Sequence, residues 1–304
     1  MKESRLKAGI IRFDCAMFRA AQRKGVFMVD MQGIDWNEVW KSWRTEHAFL
    51  GKDSKFWDAR AQTLAERMLK RGHAYAEKLL QIINPEQDWT IVDMGCGAGT
   101  LAVPFSEHVK AITAVDFSGT MLEILEKRCR EGGISNVRAI KASWDDDWSK
   151  AGIGLHDVAI ASRSLAVEDL RHAMIKLNRV AKKRVYIVTF VRRNEEEKGI
   201  FEAVGREPNT GPDYICHYNL LYQMGIHANV SFIAEKGPKT FENHDEALEF
   251  LKRKVDGITA KEEKKLRTYL ERHLVNDMGR WRMNFLEPMK WAVIWWEKEH
   301  AANL

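Results

Sequence analysis

Two carboxylates and three glycines carry the most legible chemistry in this sequence. Asp93 stands two positions before the turn Gly95-Cys96-Gly97-Ala98-Gly99-Thr100, and Asp116 follows Gly95 by 21 positions. An apolar run (Trp89 to Val92) leads into the glycines, and Leu101, Ala102, Val103 and Phe105 follow them. This order predicts a strand, a glycine turn and a helix opening under the turn. At such a turn backbone N–H groups point at a nucleotide-like ligand, and the absent side chains let it come close. Asp116 ends the next apolar run, Ala111 to Val115. There an open α/β architecture places a carboxylate that accepts both hydroxyls of a ribose. Thr100 occupies the position of the third glycine of a dinucleotide fingerprint, so a nicotinamide-dependent dehydrogenase fits poorly. Asp93 suits a ligand with a cationic amino-acid group better than one with a pyrophosphate.

With both carboxylates at these spacings, the pattern resembles the first motif and acidic loop of class I S-adenosylmethionine-dependent methyltransferases. The resemblance spans roughly residues 35–299 and is strongest over 89–165. It implies S-adenosylmethionine as methyl donor and S-adenosylhomocysteine as product. Gly95, Cys96, Gly97 and Gly99 would line the methionine and ribose, with Thr100 near the carboxylate and Asp93 holding the amino group. Asp116 would take the ribose hydroxyls and Phe117 would lie along the adenine. Ser118 and Met121 belong to the same loop, Ser118 also capping the next helix. After the third strand, Asp145 or the backbone of Ser143 and Trp144 would meet the adenine amine, with loop packing the other reading for Trp144.

The resemblance also assigns a substrate side. Ser162, Arg163 and Ser164 follow the fourth strand, where the family faces the methyl group and the acceptor. Amino-group DNA and protein-glutamine methyltransferases carry a proline pair here. This chain has none, nor a Pro-Cys pair of the cytosine-C5 type, so those reactions are disfavoured. Arg163 would recognise a carboxylate or phosphate, or pair with Glu168 or Asp169. Trp57 and Arg60 lie in a run resembling the segment that closes over the donor. Tyr218 and Tyr222 would form a substrate wall. A hydroxyl acceptor needs a base, and His47, Glu168 and His172 are the candidates, none singled out by spacing. The reaction would be an in-line displacement. No metal-ligand spacing is present.

The elements that must hold these residues follow from periodicity. Strands are predicted over 89–94, 111–116, 136–141, 156–162, 183–191, 228–234 and 290–296. Helices are predicted over 99–108, 118–132, 168–181, 213–225, 245–254 and 260–275. Trp36, Val39, Trp40 and Trp43 recur at helical spacing, and His73 to Ile83 makes a further helix before Asn84-Pro85. The expected fold is α/β and doubly wound, with a mostly parallel seven-stranded sheet and an N-terminal helical layer. Residues 1–30 would be a basic extension, 31–85 a helical cap or lid, and 86–304 the donor-binding core. The two last strands would complete the sheet, making a separate C-terminal domain unnecessary.

Bulk properties bound the rest. Of 304 residues, 45% are hydrophobic and 30% charged, globular values. Residues 1–30 hold seven bases and three acids, so four of the five net positive charges fall there. The near-neutral remainder disfavours nucleic acid as partner. Translation from Met28 or Met31 is one reading of that extension, and a transit-like segment the other. No apolar run reaches the ~18 residues of a membrane span. Four scattered cysteines fit a reducing cytoplasm. The expectation is a cytoplasmic methyltransferase acting on a small molecule. An RNA methyltransferase and a non-catalytic S-adenosylmethionine-binding sensor or assembly protein are the alternatives. Acceptor and oligomeric state stay open.

Overall fold

The computed structural model describes residues 33–46, 54–59, 61–192, 194–208, 211–234, 240–255, 257–285 and 288–298. The readings of residues 1–30, His47 and Arg60 lie outside these. Among the described residues three helices come first: α1 (Trp36–Glu46), α2 (Ser54–Asp58) and α3 (Ala61–Ile83). Then strands and helices alternate: β1 (Thr90–Met94), α4 (Ala102–Phe105), β2 (Ala111–Asp116), α5 (Gly119–Glu131), β3 (Val137–Lys141), β4 (His156–Ser162), α6 (Leu170–Val180) and β5 (Ala181–Phe190). The last third contains α7 (Asn194–Val204), α8 (Tyr214–Gln223), β6 (Asn229–Ala234), β7 (Thr240–Phe241), α9 (His244–Lys252), α10 (Ala260–His273), β8 (Leu274–Asp277), β9 (Arg280–Met283) and β10 (Lys290–Glu297).

The main sheet has seven strands in the order β3-β2-β1-β4-β5-β10-β6. β10 runs antiparallel to both its neighbours, and the other pairings are parallel. The chain builds outward from β1 to β3, then crosses back to place β4 on the other side of β1. The crevice at that reversal, beyond the carboxyl ends of β1 and β4, is where an open sheet of this kind binds ligand.

Strand alternation divides the core. Val92 and Met94 pack with Ala159, Ala161, Val185 and Ile187 on the face covered by α1, α6 and α8. Ile91 packs with Val158, Ile160, Tyr186 and Val293 on the face covered by α3 and α5. Along α3, Tyr75, Ala76, Leu79 and Ile83 make the buried stripe, and each of Leu79 and Ile83 contributes about 1.5–3 kcal/mol by burial. Trp40 is buried, and its indole N–H donates to the Val167 carbonyl at 2.8 Å. The α1 tryptophans therefore act as packing, as their helical spacing allows.

Helix starts follow local chemistry. Ser118 caps α5 by accepting from Met121 N–H, Asp169 caps α6, and Thr259 with Glu262 forms a capping box on α10. Each cap contributes on the order of 1 kcal/mol.

Two details of the elements differ from what periodicity predicts. The helix expected over 99–108 spans only Ala102–Phe105 and passes into a 3-10 turn at Ser106–His108. Pro104 lacks a donor, and the Ser106 hydroxyl donates back to the Val103 carbonyl at 2.7 Å, so no long helix axis points at the ligand. The main sheet does close with β6 and β10, but the residues between them do more than connect. β7, β9 and β8 form a second, three-stranded antiparallel sheet. Phe241, Leu248, Leu251, Leu266, Leu270 and Met283 make a core of its own with α7, α9 and α10. The expected helix 260–275 ends at His273, because the chain turns into the β8–β9 hairpin around Met278 and Gly279, both with positive φ.

Candidate active site

The glycine turn sits at the carboxyl end of β1 and is fastened from three sides. The N–H groups of Gly95 and Cys96 both donate to the Val115 carbonyl of β2, at 2.7 and 3.0 Å. Gly97 N–H donates to the Asp116 carboxylate at 2.8 Å. From α5, the Arg128 guanidinium donates to the carbonyls of Ala98 and Gly99. Gly95 has φ +76°, and a Cβ there would lie 2.2 Å from Ser164 Cβ. Only glycine permits both that backbone and that approach.

Asp116 is buried and also accepts from Ser118 N–H at 2.9 Å. Burial raises its pKa, opposed by the backbone donors of Ser118, Gly97 and Phe117. Each oxygen retains accepting capacity for a ribose hydroxyl. Phe117 is half-buried beside it. Ser118 Oγ donates to Asp58 of α2, so the N-terminal layer closes onto this loop. Met121 is buried against Ala61, Ala65 and Ala98.

Asp93 is the anomaly. It is 1% exposed, and neither of its oxygens has a hydrogen-bond partner among the described residues. Burial, reinforced by Asp116 and opposed by Arg163, pushes its pKa up to about 7. The Thr100 hydroxyl is likewise buried without a partner among the described residues. A buried carboxylate and hydroxyl left unmatched are costly in isolation. They fit an amino-acid moiety, its ammonium on Asp93 and its carboxylate near Thr100. Cys96 is buried, and burial raises its thiol pKa well above the ordinary range, so it lines the turn as a neutral group.

The loop after β3 is folded on itself. Ser143 N–H donates to Asp146 and its carbonyl accepts from Trp148. Lys176 donates to the Trp144 carbonyl. Trp144 donates its indole N–H to the Ser164 carbonyl at 3.0 Å, which favours the packing reading. The exposed Asp145 side chain and the backbone of Ser143 and Trp144 stay the candidates for the adenine amine.

After β4, the expected roles shift. Ser164 Oγ donates to the Met94 carbonyl at 2.5 Å, so this residue anchors the glycine turn rather than facing an acceptor. Ser162 Oγ lies 2.6 Å from the Tyr75 hydroxyl of α3. Arg163 does not pair with Glu168 or Asp169. Its guanidinium stacks 4.4 Å from the Tyr75 ring centroid and 5.2 Å from that of Trp291. Asp169 instead meets Lys41 and Asn37 of α1. Glu168 and His172 are exposed at the start of α6. Trp57 is half-buried on α2. Tyr218 is half-buried against the α1–α6 side of the core. Tyr222 is 63% exposed and stacks on His227, at the end of α8 that feeds the start of β6. It is not brought to the ligand edge. No group of three or more His, Cys, Asp or Glu side chains suited to a metal occurs among the described residues.

Tyr75, Arg128 and Asp58 were not legible as site residues. Tyr75 and Arg128 lie on helices with an ordinary amphipathic pattern and Asp58 ends the five-residue α2, and each reaches the site only by tertiary packing.

Residues 91–184 match the family described as methyltransferase domain. An uncharacterized protein of Haemophilus influenzae is 35% identical over 246 residues, covering 79% of this chain and 88% of that one. Among solved structures, a protein of Bacillus halodurans put forward as a methyltransferase aligns with TM-score 0.50 at 14% identity, over 73% of this chain and 98% of its own. A chain of the complex between the Haloferax volcanii Trm112 methyltransferase activator and its methyltransferase partner, the latter likewise put forward as such, also aligns with TM-score 0.50 at 14% identity, over 79% and 94%. At this identity the two structures speak for the fold alone. With the strand order, the glycine turn and the domain match in agreement, residues 91–184 form a methyltransferase domain, and the sheet around them has the class I, Rossmann-like fold of S-adenosylmethionine-dependent methyltransferases.

Proposed function

We propose that this chain transfers a methyl group from S-adenosylmethionine to a small-molecule acceptor by in-line displacement. The observation that supports this most is Asp93, a buried carboxylate beside the glycine turn with no partner among the described residues. A ligand ammonium is the group that satisfies it. Thr100 and Asp116 then receive the carboxylate and ribose ends of the same ligand.

The bound donor supplies a sulfonium-activated methyl group. What remains for the protein is alignment and exclusion of water. The Gly95 turn, anchored by Ser164 and Arg128, sets the donor's position. A hydroxyl acceptor would also need a base, for which Glu168 and His172 stand near the carboxyl edge of the sheet, and His47 remains a candidate from sequence. A small acceptor is supported by the charge distribution, which leaves residues 31–304 with a single net positive charge. No described helix is long and apolar enough to cross a membrane. The cytoplasm is the proposed compartment, supported by the buried free thiols Cys96, Cys129 and Cys216.

Calorimetric titration with S-adenosylmethionine and S-adenosylhomocysteine tests the reading. Micromolar binding by the full chain, lost in Asp116→Ala, is expected, and absence of binding by the wild type refutes it. A binding protein that leaves the donor intact against a broad panel of small acceptors would be a sensor, whereas salt-sensitive binding of bulk tRNA would point to RNA methylation.

A further inference from the structure

Arg163 stands where strand β4 ends, and the chain holds it there against its own preference. Its φ is +59°, in the left-handed region that a side chain of this size seldom adopts. Three bonds impose that conformation. Arg163 N–H donates to the Val188 carbonyl at 2.8 Å. On one side Ser162 is bonded to Tyr75, and on the other Ser164 is bonded to Met94. The residue is thus fixed by both its neighbours and by the adjacent strand.

The consequence is the posture of the side chain. The guanidinium rests on two aromatic rings, Tyr75 and Trp291, which themselves meet edge to face at 6.3 Å. A cation–π contact engages the charge of the guanidinium without taking up its N–H donors as a hydrogen bond would. Among the described residues no carboxylate, carbonyl or hydroxyl accepts from them. Three other cations near the sheet end differ. Lys176 is held by two carbonyls, Arg128 by the glycine turn, and Lys41 by Asp169 and Glu38. Arg163 is exposed at the carboxyl edge, oriented by rings, with its fork unmatched.

Its position separates it from the donor's anchors. Asp116, Ser118 and Gly97 lie over β1 and β2, on one side of the crevice. Trp291 pairs with Phe190 in the sheet, and Tyr75 comes from α3, so the cradle of Arg163 lies over β4, β5 and β10, on the other side. Alternation puts Asp93, Ser162 and Trp291 on the face that α3 covers. Arg163 is close enough to act electrostatically on Asp93. The fork therefore borders the donor's amino-acid end, on the side of the crevice away from Asp116, Ser118 and Gly97.

We propose that Arg163, cradled by Tyr75 and Trp291, is an acceptor-recognition residue that binds an oxyanion, a carboxylate or phosphate, on the small molecule to be methylated. This rests on the methyltransferase reading above. A guanidinium fork matches two oxygens of such a group at once, and this would hold the acceptor in one orientation beside the donor.

The test uses the full chain, with benzoate, inorganic phosphate and uncharged benzamide as probes at constant ionic strength. Binding is followed by calorimetry with and without saturating S-adenosylhomocysteine. Saturable binding of benzoate or phosphate, none of benzamide, and at least tenfold weaker anion binding by Arg163→Met with S-adenosylhomocysteine affinity within threefold of wild type are expected. Which of the two anions binds distinguishes carboxylate from phosphate. Arg163→Lys keeps the charge and the stem but loses the fork, and it is expected to weaken anion binding as well, so it carries the test if the methionine variant does not fold. The proposal is overturned if neither anion binds the wild type, or if both variants bind anions as the wild type does. It is equally overturned if the substitutions weaken S-adenosylhomocysteine tenfold and spare the anions, since Arg163 would then serve the donor. Failure of the wild type to bind S-adenosylhomocysteine refutes the methyltransferase reading instead, and the titrations without it still decide whether Arg163 is an anion site.

Discussion

The unmatched carboxylate of Asp93 makes a quantitative prediction about stability and pH. Its folded-state pKa is about 7, against an ordinary value of 3.8. Between these two values the folded chain holds a proton on Asp93 that the unfolded chain has released. Stability attributable to this group is therefore fully present below pH ~4, and falls by about 1.4 kcal/mol per pH unit up to ~7. Above that it is flat. The accumulated loss is about 4 kcal/mol. Asp93→Asn is nearly isosteric and does not ionise. Its advantage over wild type is expected to grow by about 4 kcal/mol between pH 4 and 8, whatever offset the amide's own unmatched donors impose at low pH. Urea unfolding of both proteins across this range, without ligand, measures the difference directly. The donor's ammonium should reverse the effect in the wild type, with S-adenosylhomocysteine binding tightening as pH rises to 7 and Asp93→Asn binding weakly throughout. A stability difference that stays constant with pH would refute the account of Asp93 as a buried, unmatched acid.

Other consequences are as direct. Gly95→Ala sets a Cβ 2.2 Å from Ser164 Cβ at a positive φ, so a loss of roughly 2–5 kcal/mol is expected from overpacking and left-handed strain. Thermal melts and S-adenosylhomocysteine titration should both register it, and a variant of wild-type stability would show that the turn is not locked on Ser164. His217 is buried edge-on to Trp40, and burial lowers its pKa to about 4 from 6.5. The folded chain keeps it neutral while the unfolded chain protonates it, so stability is lost as pH falls from 6.5 to 4, by about 3 kcal/mol. In His217→Phe this acid-side loss should disappear from denaturation curves, and its persistence would assign the loss to another group.

Much of this protein was determined by sequence alone, because the determinants are short-range. Short, largely apolar runs between turns marked the parallel strands. Ser118 announced the start of α5 as its cap, and Gly132-Gly133 its end. The glycine turn with Asp93 and Asp116 was legible as the candidate donor side, since backbone conformation at a glycine and the carboxylate at the next strand end are local facts. The β8–β9 hairpin was not legible, since its strands are only four residues each and follow a helix without a break in composition. Side-chain roles were decided by tertiary structure. Ser162 and Tyr75 meet across 87 positions. Ser164 and Met94 meet across 70, and that bond removed Ser164 from the acceptor side. Arg163 read equally as an anion binder or as a partner of Glu168 and Asp169. Only the packing of α3 and β10 against the end of β4 supplied Tyr75 and Trp291 beneath its guanidinium, while α1 brought Lys41 and Asn37 to Asp169. A spacing states which groups can meet along one element. Which of them are left without a partner depends on every element packed around them, as the buried carboxylate of Asp93 and hydroxyl of Thr100 illustrate among the described residues.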